Sequence, residues 1–88
     1  MHAIVYMQPL DARGRPYCPT KVVGTVPRDG VPHRVHGTFD LDKNKEPPRY
    51  VRVYADGAPE RGGVFPLFPI DKALDRATLV QDLTVLPR

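Results

Sequence analysis

The sequence predicts a mainly β fold: a small five-stranded barrel, OB-like or alternatively SH3-like, with one short helix in the C-terminal half. Three observations point there. Proline makes up 11 of the 88 residues and is spread along the chain, so only short elements fit between successive helix-breaking positions. Several segments alternate apolar and polar residues with the period of two that a half-buried strand requires. Clusters of Pro, Gly and Asp separate those segments. The length predicts one domain over residues 1–88, with a small margin of stability.

Element by element, His2–Met7 predicts a first strand, rich in β-branched and aromatic residues. Asp11–Pro16 reads as a polar turn in which Gly14 can take positive φ. Lys21–Val26 predicts a second strand, with Val22, Gly24 and Val26 on one face and Lys21, Val23 and Thr25 on the other. Pro27-Arg-Asp-Gly30 is a tight-turn signal. His33–Leu41 predicts a third strand, with Val35, Gly37, Phe39 and Leu41 on one face and Arg34, His36 and Thr38 on the other. A charged loop over 42–48 leads to Arg49–Ala55, the clearest strand in the chain. Residues 56–63 read as a glycine-rich loop, and Val64–Ile70, broken by Pro66 and Pro69, as an edge segment or extended arm. Asp71–Ala77 predicts the helix, capped by Asp71 and limited to two turns. Thr78–Leu86 predicts the last strand.

Charge and composition narrow the function classes. The net charge is +3, and residues 1–37 carry the whole excess, with five basic groups against two acidic ones. A basic N-terminal third can attract polyanions, although so small an excess also suits ordinary solubility. The single cysteine, Cys18, excludes an intrachain disulfide. Met1–Leu10 lacks the basic start and apolar run of a secretory leader, and no stretch reaches the length of a membrane span. The expectation is a cytoplasmic protein (host cytoplasm if phage-encoded) with no membrane partner.

Catalytic and metal signals are weak. Asp40, Asp42, Asn44 and Glu46 begin like a calcium loop, but Lys45 stands where glycine is required and Val51 where glutamate is required. His33 and His36 point to opposite faces of a strand and lack converging partners. Cys18 has neither a CxxC partner nor a base at a telling spacing. The sequence predicts no enzyme, no cofactor and no metal.

One constellation stands out. Alternation places Tyr50, Arg52 and Tyr54 in a row on one strand face, about 6–7 Å apart, with Val51 and Val53 turned to the core. Two rings flanking a guanidinium can stack on bases and hold a phosphate. The same triplet is what a protein-binding hot spot looks like, since Tyr and Arg are enriched there. The ordinary alternative is that the tyrosines only cover the edge of the core. Phe65-Pro-Leu-Phe-Pro-Ile70 is a second aromatic candidate, either packed on its own core or reaching to a second subunit.

At Gly14-Arg-Pro-Tyr17, and again at the terminal Leu79-Val-Gln-Asp-Leu-Thr-Val-Leu-Pro-Arg88, the chain resembles the single-stranded-DNA-binding proteins of filamentous bacteriophages. The resemblance implies an OB-type barrel that dimerises. It also implies that Tyr17 is the stacking aromatic of a mobile DNA-binding wing, with Arg13 and Arg15 as phosphate contacts. The expected function is binding of single-stranded nucleic acid: Tyr17, Tyr50 and Tyr54 would stack, and Arg13, Arg15, Lys21, Arg34 and Arg52 would neutralise phosphates. The alternative is a phage or mobile-element inhibitor, of the anti-CRISPR or anti-defence type, that binds and blocks a host protein. A homodimer is compatible with either.

Overall fold

The computed structural model describes residues 2–56 and 58–87, and the side chains of all of these except 58–61. Six strands form: β1 (His2–Leu10), β2 (Lys21–Pro27), β3 (His33–Asp40), β4 (Tyr50–Ala55), β5 (Ala58–Pro66) and β6 (Arg76–Leu83). They make two antiparallel sheets, one four-stranded with order β2-β1-β4-β5 and one two-stranded with order β3-β6. The fold is therefore mainly β, as expected, but the strands do not close into a barrel. No helix among the described residues is long and apolar enough to cross a membrane.

The two sheets share one core. Alternation in β1 buries Ala3, Val5 and Met7, and alternation in β4 buries Val51, Val53 and Ala55. Val35 and Phe39 of β3, Leu79 and Leu83 of β6 and the following Val85 meet them from the smaller sheet. Each fully buried aliphatic side chain here contributes roughly 1.5–3 kcal/mol over leaving it in water.

Three local expectations are corrected and a fourth is sharpened. The predicted helix over Asp71–Ala77 does not form; residues 71–74 make one tight turn instead. The Asp71 carboxylate closes that turn, accepting the Ala73 N–H at 2.8 Å, and the Leu74 N–H donates to the Asp71 carbonyl at 3.1 Å. The chain then enters β6 at Arg76, because pairing with β3 runs unbroken from Asp40–Arg76 to His33–Leu83. A two-turn helix is marginal on its own, and eight paired residues with a buried Leu79 outweigh it.

Residues 56–63, expected as a loop, belong instead to the β4–β5 hairpin; Gly57 itself lies outside the described residues. Ala55 pairs with Ala58, and Asp56 takes the left-handed φ of 57°. Near a register irregularity after Val53, the Gly62 backbone passes so close to β4 that a Cβ there would collide with the Val53 carbonyl oxygen. The Arg28 guanidinium, just past β2, pairs with the Asp56 carboxylate and ties the hairpin down.

The faces of β2 also differ from expectation. The register slips between Val5 and Tyr6, where Gly24 takes φ 147° and Val23 becomes an extra residue. Val26 points into the core, while Val22 points outward and is 57% exposed. A bulge reverses the alternation beyond it, which moves Lys21 to the inner side. Finally, the 65–70 arm divides. Phe65, Leu67 and Ile70 pack against the core, whereas Phe68 is 93% exposed.

Candidate functional site

The outer face of the four-stranded sheet carries the Tyr-Arg row. In β4, Val51 and Val53 are fully buried, so Tyr50, Arg52 and Tyr54 turn to the opposite side, as alternation requires. Tyr50 is exposed; Arg52 and Tyr54 are half-buried. The neighbouring strands complete three rows. Val22, Tyr6 and Tyr54 lie side by side, then Gln8, Arg52 and Val64, then Leu10, Tyr50 and Pro66.

The Tyr6 and Tyr54 rings stack, with centroids 5.3 Å apart and planes 15° from parallel. Ile4 and Val64, at 46% and 52% exposure, extend the apolar surface on either side. Arg52 supplies the only charge among these row residues, and no described residue offers it an ion pair or hydrogen bond. The result is an aromatic and aliphatic face, covered at Leu10 and open at Tyr50, Ile4 and Val64, with one available guanidinium. Tyr6 is the member that sequence reading missed. Its signal was present, because it is in phase with Ile4 and Gln8 and out of phase with Ala3, Val5 and Met7.

The other expected site residues lie outside β4, each with contacts of its own. Tyr17, expected on a mobile wing, is 7% exposed. Its N–H donates to the Pro9 carbonyl at 2.9 Å, and its hydroxyl accepts the Asp42 N–H at 2.8 Å. The Lys45 ammonium sits 4.9 Å over its ring and donates to its carbonyl. Such a ring offers no open face to a base.

Arg13 and Arg15 project from a turn folded around Asp11, whose Oδ1 accepts both of their backbone N–H groups at 2.9 Å. The Arg15 N–H holds the Asp11 carboxyl below the usual carboxylate range, ahead of the opposing effect of desolvation. The Arg15 side chain turns back to the same carboxylate, at 3.6 Å. Lys21 reaches across to the smaller sheet, donating to the Thr38 carbonyl at 2.7 Å and lying 5.4 Å over the Phe39 ring. Arg34 stands on the smaller sheet and faces Asp82 at 3.4 Å. Only Tyr50, Arg52 and Tyr54 of the expected set come together.

Comparison with known protein families, with curated proteins and with solved structures finds no match for this chain.

The remaining chemistry is sparse. Cys18 lines an open pocket of about 490 Å³ with Lys21, Thr38, Phe39, Asp40 and Arg76. Burial pushes its thiol up despite the nearby Lys45 and Lys21, which weakens it as a nucleophile. Among the described residues, no group of three or more His, Cys, Asp or Glu side chains is placed to hold a metal ion.

Proposed function

We propose that the protein is a non-catalytic binding module that takes a protein partner on the outer face of its four-stranded sheet. The observation that carries this reading is the composition of that face: Tyr50, Tyr54, Tyr6 and exposed aliphatics around a single available arginine. Large aromatic side chains and arginine dominate the energetics of protein interfaces, where a flat surface excludes water around a few anchors. Arg52 would meet a carboxylate or an aromatic face on the partner. If the chain is phage-encoded, the partner is a host protein and the mode of action is blockage by occupancy.

The stacked Tyr6–Tyr54 pair beside Arg52 favours a second reading, in which single-stranded nucleic acid lies across the sheet. Against it stands the dispersal of the basic residues. Lys21 is engaged by the Thr38 carbonyl, Arg34 by Asp82 and Arg15 by Asp11, and affinity for phosphates rises with the number of cations free to neutralise them together.

The two readings separate in one experiment. Wild-type protein, Arg52→Ala and Tyr50→Ala are titrated against fluorescent oligo-dT at low and moderate salt, and the same three serve as baits for protein partners. A stoichiometric protein complex lost in both variants, with no oligo-dT binding up to tens of micromolar, supports the first reading. Oligo-dT binding that weakens steeply with salt and falls in both variants replaces it with the second.

A further inference from the structure

Three of the four sheet edges are obstructed. β2 is broken by its bulge at Val23–Gly24. β5 contains Pro59 and Pro66 and loses register with β4. On β3, Lys21 covers the Thr38 carbonyl. Lysine, proline and bulges are the usual means by which an edge is closed to further strands.

β6 carries no bulge, proline or lysine, and among the described residues its one carbonyl covered by a side chain is that of Asp82, which accepts the Gln81 side-chain amide at 3.4 Å. Its sequence, Arg-Ala-Thr-Leu-Val-Gln-Asp-Leu, lacks proline, glycine and lysine, and its register with β3 runs through eight consecutive pairs. Among the described residues, β3 is the only strand that pairs with it. A groove of about 880 Å³ is lined by Arg76–Gln81 of β6, by the Pro66–Ile70 arm and by Arg34 of β3. Phe68, Leu74 and Val80 line it and are all exposed.

We infer that this edge pairs with β6 of a second copy, antiparallel, with Leu79 on the two-fold axis. The charges select both the occupant and the register. Within one chain, Arg76 faces Asp40 at 3.2 Å and Asp82 faces Arg34 at 3.4 Å, at the two ends of the β3–β6 ladder. Arg76 and Asp82 lie three residues on either side of Leu79. Self-pairing about Leu79 therefore sets Arg76 opposite Asp82 of the second copy, and the reverse, while Thr78 meets Val80. Each charged row of the joined sheet, β3-β6-β6-β3, then alternates in sign: Asp40, Arg76, then Asp82 and Arg34 of the second copy. Opposite charges at directly facing positions stabilise an antiparallel pair, and like charges oppose it. A register shifted by two residues loses both new ion pairs. One patch used twice about a two-fold axis closes the assembly at a dimer.

The test is sedimentation equilibrium of the full chain. The wild type is expected to have twice the 9.9 kDa mass of one chain. Arg76→Asp and Asp82→Arg each place like charges opposite each other twice per dimer, so each is expected to weaken self-association about tenfold or more. An equimolar mixture of the two variants restores opposite pairs and is expected to recover wild-type affinity. Circular dichroism checks that each variant is folded. Hydrogen exchange on the unaltered protein gives a second readout: amide protection that rises with concentration should fall on residues 76–82. A wild type that stays monomeric at about 100 µM overturns the inference. So does a mixture that associates no better than either variant alone, or concentration-dependent protection confined to the four-stranded sheet.

Discussion

Replacing Tyr17 separates a core role from a stacking role. The ring is 7% exposed, and its hydroxyl accepts the Asp42 N–H at 2.8 Å across 25 residues of chain. Tyr17→Ala removes a buried aromatic and should cost about 3–5 kcal/mol. Tyr17→Phe keeps the ring and the overlying Lys45, but it leaves the Asp42 N–H without its acceptor, which should cost about 1–2 kcal/mol. A chain of this size has roughly 4–13 kcal/mol in total, so the alanine variant loses a large share and the phenylalanine variant a modest one. Urea unfolding followed by circular dichroism gives both numbers. In thermal melts each kcal/mol corresponds to about 4–8 °C. An alanine variant within about 0.5 kcal/mol of wild type would refute the reasoning, because a ring so cheaply removed is not holding the 42–45 loop to the sheet.

Gly37→Ala should cost about 1–3 kcal/mol, since its Cβ would lie 2.7 Å from Val23 Cγ1 and 3.0 Å from Phe39 Cε2; an unchanged urea midpoint would mean that the seam between the sheets has slack. The Asp29 carboxyl is held below its usual value, first by the Val31 N–H and then by His33, so its contribution is complete above the unfolded aspartate value near 3.9 and is lost as pH falls through the folded one. The stability gap between wild type and Asp29→Asn should therefore close as the solution is acidified below about pH 4, and a gap independent of pH would contradict this. Cys18, its thiol pushed up by burial, should react with a disulfide reagent at neutral pH more slowly than a free thiol and speed up in urea; immediate full labelling of the folded protein would contradict its placement.

What was legible in the sequence divides along the line between local and non-local forces. The Val51–Val53 and Tyr50–Arg52–Tyr54 faces were legible because β4 pairs with β1 in unbroken register, so a period of two maps directly onto inside and outside. In β2 the same rule failed at one residue. The isolated Gly24 in a strand pattern was the available sign of a bulge, and ignoring it reversed every side chain before it. Asp56-Gly57, flanked by strand residues, was likewise the strongest short hairpin signal in the chain, yet it was absorbed into a presumed loop.

The 71–77 turn shows the opposite case. Asp71 has the turn-closing chemistry of a cap, but whether such a turn propagates into a helix depends on a strand more than 30 residues earlier in the chain, and here it does not. The same non-locality dispersed the basic residues. Lys21 and Arg34 lie close in sequence, but β2 and β3 join different sheets, so one cation is spent on a carbonyl at the seam and the other on Asp82. A count of charges in the first third of the chain could not anticipate that. It also could not show that Arg76 and Asp82, unremarkable in the sequence, become the two ends of an open strand edge with charges in self-complementary order once β6 pairs with β3. The binding face on β4 follows from alternation alone, and the edge of β6 follows only from pairing, which is why the two surfaces are independent and can fail independently under test.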